Sequence, residues 1–271
     1  MQHCNCTKQK LLSESLVLAG SRLTASWVTT TTSTNDDVKE LVKNTEDCLW
    51  TVRVADVQRA GRGTRGRSWS APEASLLLTL GIPLATSTEN PAGLSLIVGA
   101  ACVDVLKEFN PEVRLKWPND IWINGGKAAG ILCEIVHSRS RFPHAVVGIG
   151  VNICLGQTSV PTTDVPAAAL FVQSLKADEL QAIRLRLAVS LALAIESICS
   201  CLNCGALAEV RSKWPQLDAF ADRTVLLTLP SGEMKRGRVA GIGAVGELLF
   251  IDEGGRMSAF SDARIRPLQN D

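Results

Sequence analysis

The spacing of apolar and polar residues predicts alternating helices and strands over residues 1–150. In TSTNDDVKELVK, Val38, Leu41 and Val42 recur at helical spacing after a polar N-cap, which predicts a short amphipathic helix. LWTVRVADVQ and ASLLLTLGI are apolar runs typical of strands, and they flank a segment rich in glycine and arginine. PAGLSLIVGAACVDVLKEFNP predicts a buried helix, with Pro91 before it and Pro111 after it.

Four further apolar runs predict neighbouring strands. VRLKW, DIWI, GILCEIV and AVVGIGVNI are separated by PND, by NGGK and by a turn that contains proline, a pattern typical of a sheet. Over residues 178–202, leucine and isoleucine recur at the spacing of one long helix.

The C-terminal part has a different pattern. After Trp214-Pro215, the segments TVLLTL, MKRGRVAGIG, AVGELLFID and MSAF predict short strands with glycine-rich turns and no helix. This length and pattern are typical of a small barrel. We therefore predict an α+β protein with an N-terminal arm at 1–30, a mixed-sheet domain at 31–218 and a small β-barrel at 219–271.

Composition and charge narrow the function classes. The formal net charge is +1, so neither nucleic acid nor an acidic membrane is indicated as a partner. No apolar run approaches the roughly 18–20 residues of a membrane helix. The N-terminus lacks a secretory pattern, although its basic, Ser/Thr-rich character leaves a mitochondrial signal open as an alternative.

The nine cysteines predict free thiols in a reducing compartment. Their number is odd, and several lie in apolar segments, so a disulfide framework is not indicated. Cytoplasm is the expected location. Cys201 and Cys204 have the spacing of a zinc-binding pair, but a second pair is needed, and thiols at a helix end are the simpler interpretation.

Residues 61–69, GRGTRGRSW, hold three glycines and three arginines, and Arg59 lies just before them. No acidic residue lies between Asp56 and Glu73, so the positive charge is concentrated in one loop. The loop lacks the Gly-Lys-Ser/Thr of a P-loop, yet glycine amides and arginine side chains can bind a carboxylate or phosphate. A solvated basic hairpin and an RGG-like contact to nucleic acid are the alternatives.

A second polar cluster lies in RLKWPNDIWINGGKAAGILCE, which places Lys116, Asn119, Asp120 and Lys127 around tight turns. Because Pro118 cannot continue a central strand, Asn119 and Asp120 are expected to project from the rim of the sheet. Singly, Asp120 fits an Asx turn and Lys127 fits an exposed lysine. Together with the arginine loop and the STN helix cap, they predict a shared anion site.

Five motifs resemble, in order and spacing, those of biotin protein ligases, also called holocarboxylase synthetases. They are STN at 33–35, QRAGRGTRGRSW at 58–69, KWPNDI at 116–121, GKAAGILCE at 126–134 and GIGVNI at 148–153. The C-terminal strands are similar to the SH3-like domain of that family. The resemblance implies a mixed-sheet catalytic domain of the biotin/lipoate ligase type, followed by an SH3-like barrel.

The resemblance also implies an activity. Biotin and ATP, with Mg²⁺, would form biotinyl-5′-AMP and release pyrophosphate, and the biotinyl group would pass to a lysine of a carboxylase's biotin carrier domain. Two anions must meet in such a site, which suits arginine and lysine side chains. The expected partners are carrier domains, with no nucleic acid and no membrane, and the protein is expected to be a monomer or a weak homodimer.

The motif match implies roles for individual residues. Lys127, Arg62 and Asp120 would be catalytic: Lys127 would bridge the carboxylate and the α-phosphate, and Asp120 would accept the proton of the acceptor lysine. The residues implied in biotin binding are Ser33, Thr34, Asn35, Gln58, Gly61, Arg62, Trp69, Lys127 and Gly130. Those implied in nucleotide binding are Arg62, Arg65, Arg67, Trp69, Asn119, Lys127 and Asn152. Asn119 or Asp120 is the candidate metal ligand, and residues near 155–170 would cover the adenine.

Other functions remain open at this stage. A lipoate or octanoate protein ligase would share this architecture, although its Arg-Arg and Gly-Gly-Gly signature is not in the sequence. A catalytically inactive biotin-binding protein of the same fold is the non-enzymatic alternative. The roughly 30 residues before Ser33 are few for a winged helix, so we expect the monofunctional form without an N-terminal DNA-binding domain.

Thr64 departs from the family pattern. Many bacterial members have arginine there, and the extra cation would help close the loop over a negatively charged adenylate. We predict that this chain holds the adenylate less tightly unless Arg59 or Arg65 compensates. The alternative is that Thr64 only fits the turn.

Overall fold

The structure of the protein is a computed structural model that describes residues 2–84, 91–137, 139, 142–156, 165–202 and 205–268. At its centre is a mixed seven-stranded sheet. The strands are β1 Thr24–Thr31, β2 Thr51–Gln58, β3 Ser75–Pro83, β4 Arg114–Lys116, β5 Asp120–Ile123, β6 Gly126–Val136 and β7 His144–Asn152. Their order is β1-β2-β3-β7-β6-β5-β4; β1 and β2 are parallel, and the remaining neighbours are antiparallel.

Helices cover both faces of this sheet. They are α1 Gln2–Leu18, α2 Thr34–Asn44, α3 Pro91–Lys107, α4 Ala177–Ser200 and α5 Ala206–Leu217. Helix α2 lies on one face, where Val38 and Val42 pack against Val136 of β6 and Val146 of β7. Helices α1, α3 and α4 cover the opposite face and enclose the main core.

Side chains along β7 point alternately to the two faces of the sheet. Ala145, Val147, Ile149 and Val151 are buried in the main core, so the residues between them point to the α2 face. On that face Val146 lies under α2, whereas the positions beyond the start of the helix are Gly148, Gly150 and Asn152. The strand therefore leaves open space beside the N-terminus of α2.

The helices and strands predicted on either side of the arginine loop are confirmed, with small shifts at their ends. Ser33 is the N-cap of α2, although its side chain makes no cap hydrogen bond. Leu41 was predicted to lie on the apolar face of α2, but it is 50% exposed, and Val38 and Val42 form the buried stripe.

The N-terminal region differs from the expected arm at 1–30. Strand β1 is an edge strand of the central sheet, and Trp27 of β1 is 3% exposed. Leu12 and Leu16 of α1 are fully buried in the main core. Lys8 binds the carboxylate of Asp56 on β2 at 2.8 Å, which ties α1 to the sheet.

Helix α5 was not predicted, because Pro215 was interpreted as a boundary. The proline lies in the last turn of α5, and Val210, Trp214 and Leu217 form the helix's buried side. Proline has no backbone N–H, so the helical bond that position 215 would donate to the carbonyl of residue 211 is absent.

The short strands predicted for the C-terminal part are confirmed; they form a separate antiparallel sheet of five strands, of which the last in sequence was not predicted. They are β8 Thr224–Thr228, β9 Met234–Ile242, β10 Leu248–Asp252, β11 Met257–Phe260 and β12 Arg264–Pro267. Their order is β11-β10-β9-β8-β12. Closure into the predicted SH3-like barrel stays a prediction.

The thiols and the membrane expectation can be compared with the described residues. The seven cysteines whose side chains are described are free. Cys204 lies outside the described residues, so its pairing with Cys201 is not addressed. Within the described ranges, no group of three side chains suits a metal ion, and no helix has the length and apolarity to span a membrane.

Candidate functional site

A cavity of about 720 Å³ opens on the α2 face of the central sheet. Its floor is formed by β6 and β7, and one end is formed by the start of α2. The Gly/Arg loop, residues 61–69, covers it from one side, and the turn between β4 and β5 borders it from the other. Ser261 and residues 263–266 of the C-terminal part complete the wall, so residues distant in sequence share one space.

One end of the cavity is a polar slot with fixed hydrogen-bond directions. The backbone amide of Thr34 donates to Gln58 Oε1 at 2.7 Å, and the Thr34 hydroxyl donates to the same oxygen at 2.9 Å. Thr79 Oγ1 lies 2.7 Å from the Thr34 hydroxyl. Because two donors engage the oxygen of Gln58, its NH₂ group is available as a donor to a ligand.

The glycines of β6 and β7 are required by close packing on the cavity floor. A Cβ at Gly148 would lie 1.9 Å from Asn35 Oδ1, and one at Gly150 would lie 2.5 Å from the indole of Trp69. A Cβ at Gly130 would lie 3.0 Å from the same indole. The glycines thus let Asn35 and Trp69 lie directly on the sheet.

Asn35 acts mainly as a support in this arrangement. Its Oδ1 lies 2.8 Å from Thr79 Oγ1, and its Nδ2 donates to Glu134 at 3.2 Å. The predicted biotin-binding residue Asn35 therefore lines the cavity, but its side chain bonds to β3 and β6.

Buried Lys116 and Asp120 and half-buried Lys127 form a charge cluster at the rim of the sheet. Lys127 Nζ lies 2.6 Å from Asp120 Oδ1, and Lys116 Nζ lies 3.2 Å from Asp120 Oδ2. Burial alone would raise the pKa of Asp120, but Lys127 and Lys116 outweigh it, and the pKa is lowered. Burial lowers the pKa of Lys116, although Asp120 opposes this effect.

Two turns place these charges. Lys116 ends β4 and Asp120 begins β5, with the Trp117–Pro118 turn between them, as predicted for the rim. Asn124 and Gly125, both with positive φ, form the tight hairpin that starts β6 just before Lys127. The side chain of Asn119 turns inward, and its Nδ2 donates to the carbonyl of Ile131 at 2.6 Å.

The Gly/Arg loop is folded back on itself. Gly63 N donates to Arg67 O at 2.7 Å, and Trp69 N donates to Gly61 O at 2.8 Å. Residues 64–66 form a single 3₁₀ turn at the tip. The Thr64 hydroxyl accepts a hydrogen bond from Arg67 Nη2 at 3.2 Å.

The loop joins the rest of the molecule through its arginines and its tryptophan. Arg62 Nε lies 2.9 Å from Asp36 Oδ2 on α2, and Arg65 pairs with Asp262 of the C-terminal sheet. The indole of Trp69 lies over the floor glycines, with Lys127 Nζ 5.3 Å from the ring centroid. Trp69 Nε1 is buried and has no hydrogen-bond partner among the described residues.

Residues 165–170, the end of the predicted adenine cover, border the cavity beside Lys127. Lys127 N donates to Pro166 O at 2.8 Å, and Ala168 N donates to Lys127 O at 2.9 Å. Asn152 Nδ2 donates to Ala168 O at 2.9 Å. Its Oδ1 is buried without a partner among the described residues, so it can accept from a ligand. Residues 157–164 of the predicted adenine cover lie outside the described residues.

The structure brings nearly all the predicted site residues together. Those that line the cavity are Ser33, Thr34, Asn35, Gln58, Arg62, Arg65, Arg67, Trp69, Asn119, Asp120, Lys127, Gly130 and Asn152. Gly61 is not among them; a Cβ there would lie 2.6 Å from Trp69 O, so this glycine lets the two ends of the loop meet.

Sequence reasoning gave no role to several cavity residues. The sequence places Lys116 near Asp120. The ion pair between the two side chains depends on the pairing of β4 with β5, which local sequence does not show. Arg264 and Arg266 belong to a part of the chain with no predicted link to the site. The cationic segment ARIRP was the one signal in the sequence, and charge alone does not reveal which neighbour it meets.

Asn119 or Asp120 was the candidate metal ligand, and the charges around Asp120 disfavour a metal ion on its carboxylate. Both carboxylate oxygens already lie close to lysine nitrogens. Lys116, Lys127 and Arg67 all contribute positive charge at this place, which would repel a divalent cation.

Solved structures show which known fold this chain has. The biotin protein ligase from Aquifex aeolicus in complex with biotin and ATP has a TM-score of 0.69 and 22% identity, covering 90% of this chain and 98% of that one. The Leishmania major biotin protein ligase in complex with biotinyl-5-AMP has a TM-score of 0.56 and 24% identity, covering 88% and 98%. The fold is that of biotin protein ligases.

Sequence comparison gives a family for part of the chain: residues 27–152 match the model of the Biotin/lipoate A/B protein ligase family. The Bifunctional ligase/repressor BirA of Salmonella typhimurium is 32% identical over 203 residues, or 74% of this chain and 62% of that protein. The Biotin--[acetyl-CoA-carboxylase] ligase of Mycobacterium tuberculosis is 35% identical over 156 residues, or 54% and 55%. The chain thus matches less than two thirds of the length of each of these relatives.

Proposed function

We propose that the protein is an ATP-dependent biotin protein ligase. It would activate biotin as biotinyl-5′-AMP and transfer the biotinyl group to a lysine of a biotin carrier domain. The observation that carries this proposal is the polar, glycine-floored slot that opens directly onto Lys127 and the arginine loop. A neutral ring with a carboxylate tail fits the slot, with its charged end at the cations.

The slot offers a specific set of contacts for the ureido ring of biotin. Ser33, Thr34 and Gln58 line its closed end, and the NH₂ group of Gln58 is oriented as a donor by its bonds to Thr34. Trp69 covers the apolar tail from the loop side. Such fixed polar groups favour a ligand with matching donors and acceptors over a plain fatty acid.

In the first step, a biotin carboxylate oxygen attacks the α-phosphorus of ATP. The bond between that phosphorus and the bridging oxygen breaks, and pyrophosphate leaves with the electron pair. Lys127, released from Asp120, stabilises the negative charge between the carboxylate and the phosphate, and Arg62 does the same from the loop. Mg²⁺ enters with ATP as its counter-ion.

In the second step, the amine of the carrier lysine attacks the acyl carbon and AMP leaves. Asp120 accepts the amine's proton. The two lysines keep this carboxylate ionised, and when Lys127 moves to the phosphate, the carboxylate loses one cation and becomes a stronger base. The Lys127–Asp120 ion pair would therefore keep Asp120 a weak base until the first step has moved Lys127 away.

The nucleotide is proposed to lie between the loop and the C-terminal sheet. Arg65, Arg67, Asn119 and Asn152 line the cavity, and Asn152 Oδ1, which has no partner among the described residues, would serve as an acceptor. The proposed acceptors are carrier domains of carboxylases, since a relative is named Biotin--[acetyl-CoA-carboxylase] ligase. We place the protein in the cytoplasm, where free thiols such as those of this chain persist.

A labelling assay tests this proposal against the two alternatives. The purified protein is incubated with ATP and a biotin carrier domain, together with biotin, lipoate or octanoate, and the mass of the carrier is measured. A mass increase of the carrier with biotin, and none with lipoate or octanoate, supports the proposal. Labelling with lipoate or octanoate instead would show a ligase of different specificity, and binding of biotin without any labelling would show an inactive binding protein.

A further inference from the structure

An ion pair joins the tip of the Gly/Arg loop to the C-terminal sheet. The guanidinium of Arg65 contacts Asp262 Oδ1, across 197 positions of sequence. Asp262 lies in the turn between β11 and β12, and its neighbours Ser261 and Ala263 line the cavity. The two elements thus meet at the mouth of the site, away from the floor where a ligand would lie.

The backbone of the loop is shaped for this contact. Arg65 adopts a left-handed conformation, with φ 58° and ψ 37°, and Gly66 follows with φ 71°. Such a conformation is uncommon for a residue with a side chain, and it persists where surrounding contacts hold it. The turn directs Arg65 outward to the C-terminal sheet, while Arg67 folds back onto Thr64.

Asp262 offsets the positive charges that surround Arg65. Burial and the neighbouring cations Arg67 and Arg264 lower the pKa of Arg65, so the guanidinium lies in a repulsive surrounding. Asp262 is the acidic group that the structure places in contact with it. Without this carboxylate, the loop tip and β12 would face each other with like charges.

The loop has a second anchor at its other end. Arg62 is held by Asp36 at the start of α2, so the described ion pairs of the loop lie on opposite sides of the cavity. Opening the loop therefore requires at least one of these pairs to break. The Arg62 pair involves a residue proposed to act on substrate, whereas Asp262 has no other proposed task.

We propose that Asp262 is a positioning residue that acts through Arg65 and keeps the Gly/Arg loop closed over the cavity. Closure by the C-terminal sheet slows the escape of whatever the loop covers. Resting on the proposed function, the retained species is biotinyl-5′-AMP, and the C-terminal sheet thereby limits its release before transfer.

The first experiment uses the full chain without ligand and measures hydrogen exchange of the loop amides, residues 61–69, by mass spectrometry. Asp262→Ala should speed exchange about two- to fivefold, the range of a partly exposed ion pair. Glu253→Ala is the matched control, since it removes an exposed ion pair with Arg236 on the same sheet. The charge swap Arg65→Asp with Asp262→Arg should restore slow exchange.

Equal exchange in Asp262→Ala and the wild type would overturn the proposal, and so would an equal acceleration by Glu253→Ala. The second experiment measures loss of preformed adenylate, which Asp262→Ala should speed about two- to fivefold and Glu253→Ala should not. If the wild type makes no adenylate, the proposed function fails, while the exchange result still decides whether Asp262 holds the loop.

Discussion

Asp120 has the local chemistry of a group whose role changes during a reaction. Two ammonium nitrogens lie 2.6 and 3.2 Å from its oxygens, which keeps it ionised but makes it a weak base. A carboxylate in this state cannot accept a proton efficiently until one cation leaves. The proposed movement of Lys127 onto the α-phosphate supplies that change.

Asp120→Asn should therefore separate the two steps. Adenylate formation needs Lys127 rather than the base, so the variant should still form biotinyl-5′-AMP, whereas transfer should slow about 10²- to 10⁴-fold. Single-turnover assays that follow adenylate and labelled carrier separately measure both rates. Loss of adenylation with normal transfer from supplied adenylate would instead show that Asp120 acts in the first step.

Thr64 stands at the loop tip and bonds Arg67, so it is more than a spacer. Thr64→Arg adds a cation near the proposed adenylate and should slow adenylate dissociation by up to about tenfold. Thr64→Val is the matched control, because it removes the hydroxyl without adding charge. Identical dissociation rates in the wild type and Thr64→Arg would mean that this position has no electrostatic role.

At the scale of elements, the two faces of β7 could be predicted in part from the sequence. The run AVVGIGVNI predicts a buried strand, and that prediction is confirmed. The reason for glycine at positions 148 and 150 is visible only in the structure, where Asn35 and Trp69 occupy the space that a Cβ would need. These partners lie more than 80 residues earlier in the chain, so local sequence patterns could not supply them.

Gly150→Ala tests the packing of Trp69 on the strand. The new methyl group would lie about 2.5 Å from the indole, so Trp69 must shift. The biotin Kd should rise about tenfold or more, because overpacking costs about 1–3 kcal/mol. Calorimetric titration measures the change, with Gly254→Ala in the C-terminal sheet as the control. Unchanged affinity in Gly150→Ala would contradict the covering role of Trp69.

The N-terminal region shows where element prediction was incomplete. Helix α1 has little amphipathic pattern, and its buried contacts are Leu12 and Leu16 alone among its leucines. Strand β1 pairs with β2 in parallel, a pairing that leaves no hairpin signal in the sequence. Both elements therefore depend on tertiary packing, which local sequence patterns do not show.

At the scale of the whole molecule, the two sheets meet at a buried junction. Ala219 N donates to Leu115 O at 3.0 Å, and the rings of Phe220 and Trp122 pack edge to face. Asp218 lies at this junction, and its carboxylate accepts a hydrogen bond from Phe220 N at 3.0 Å. The sequence motifs predict the cavity residues that belong to the central domain. They do not predict Arg264, which lines the same cavity because the two sheets pack together.

Burial raises the pKa of Asp218 to about 6, although the bond from Phe220 opposes the effect. The folded state thus binds this proton more tightly than the unfolded state, so the stability contributed by this group falls as pH rises from about 4 to 6. Asp218→Asn should stabilise the protein at pH 7.5 by about 3 kcal/mol and give no gain near pH 4.

Urea unfolding of wild type and Asp218→Asn across this pH range measures the difference. Exposed Asp104 of α3 provides the control Asp104→Asn, which should show no such pH dependence. A constant stability difference between wild type and Asp218→Asn at all pH values would show that the carboxyl group is not perturbed by burial.

In the proposed reaction, the cavity joins a biotin carboxylate to the α-phosphate of ATP at Lys127. Pyrophosphate release, measured with ATP in the presence and absence of biotin, tests it most directly. The wild type should release pyrophosphate only with biotin, and Lys127→Ala should be slower by about 10²- to 10³-fold, whereas Lys213→Ala on the exposed side of α5 should match the wild type. Biotin-independent release, or an unchanged rate in a folded Lys127→Ala variant, would contradict the account.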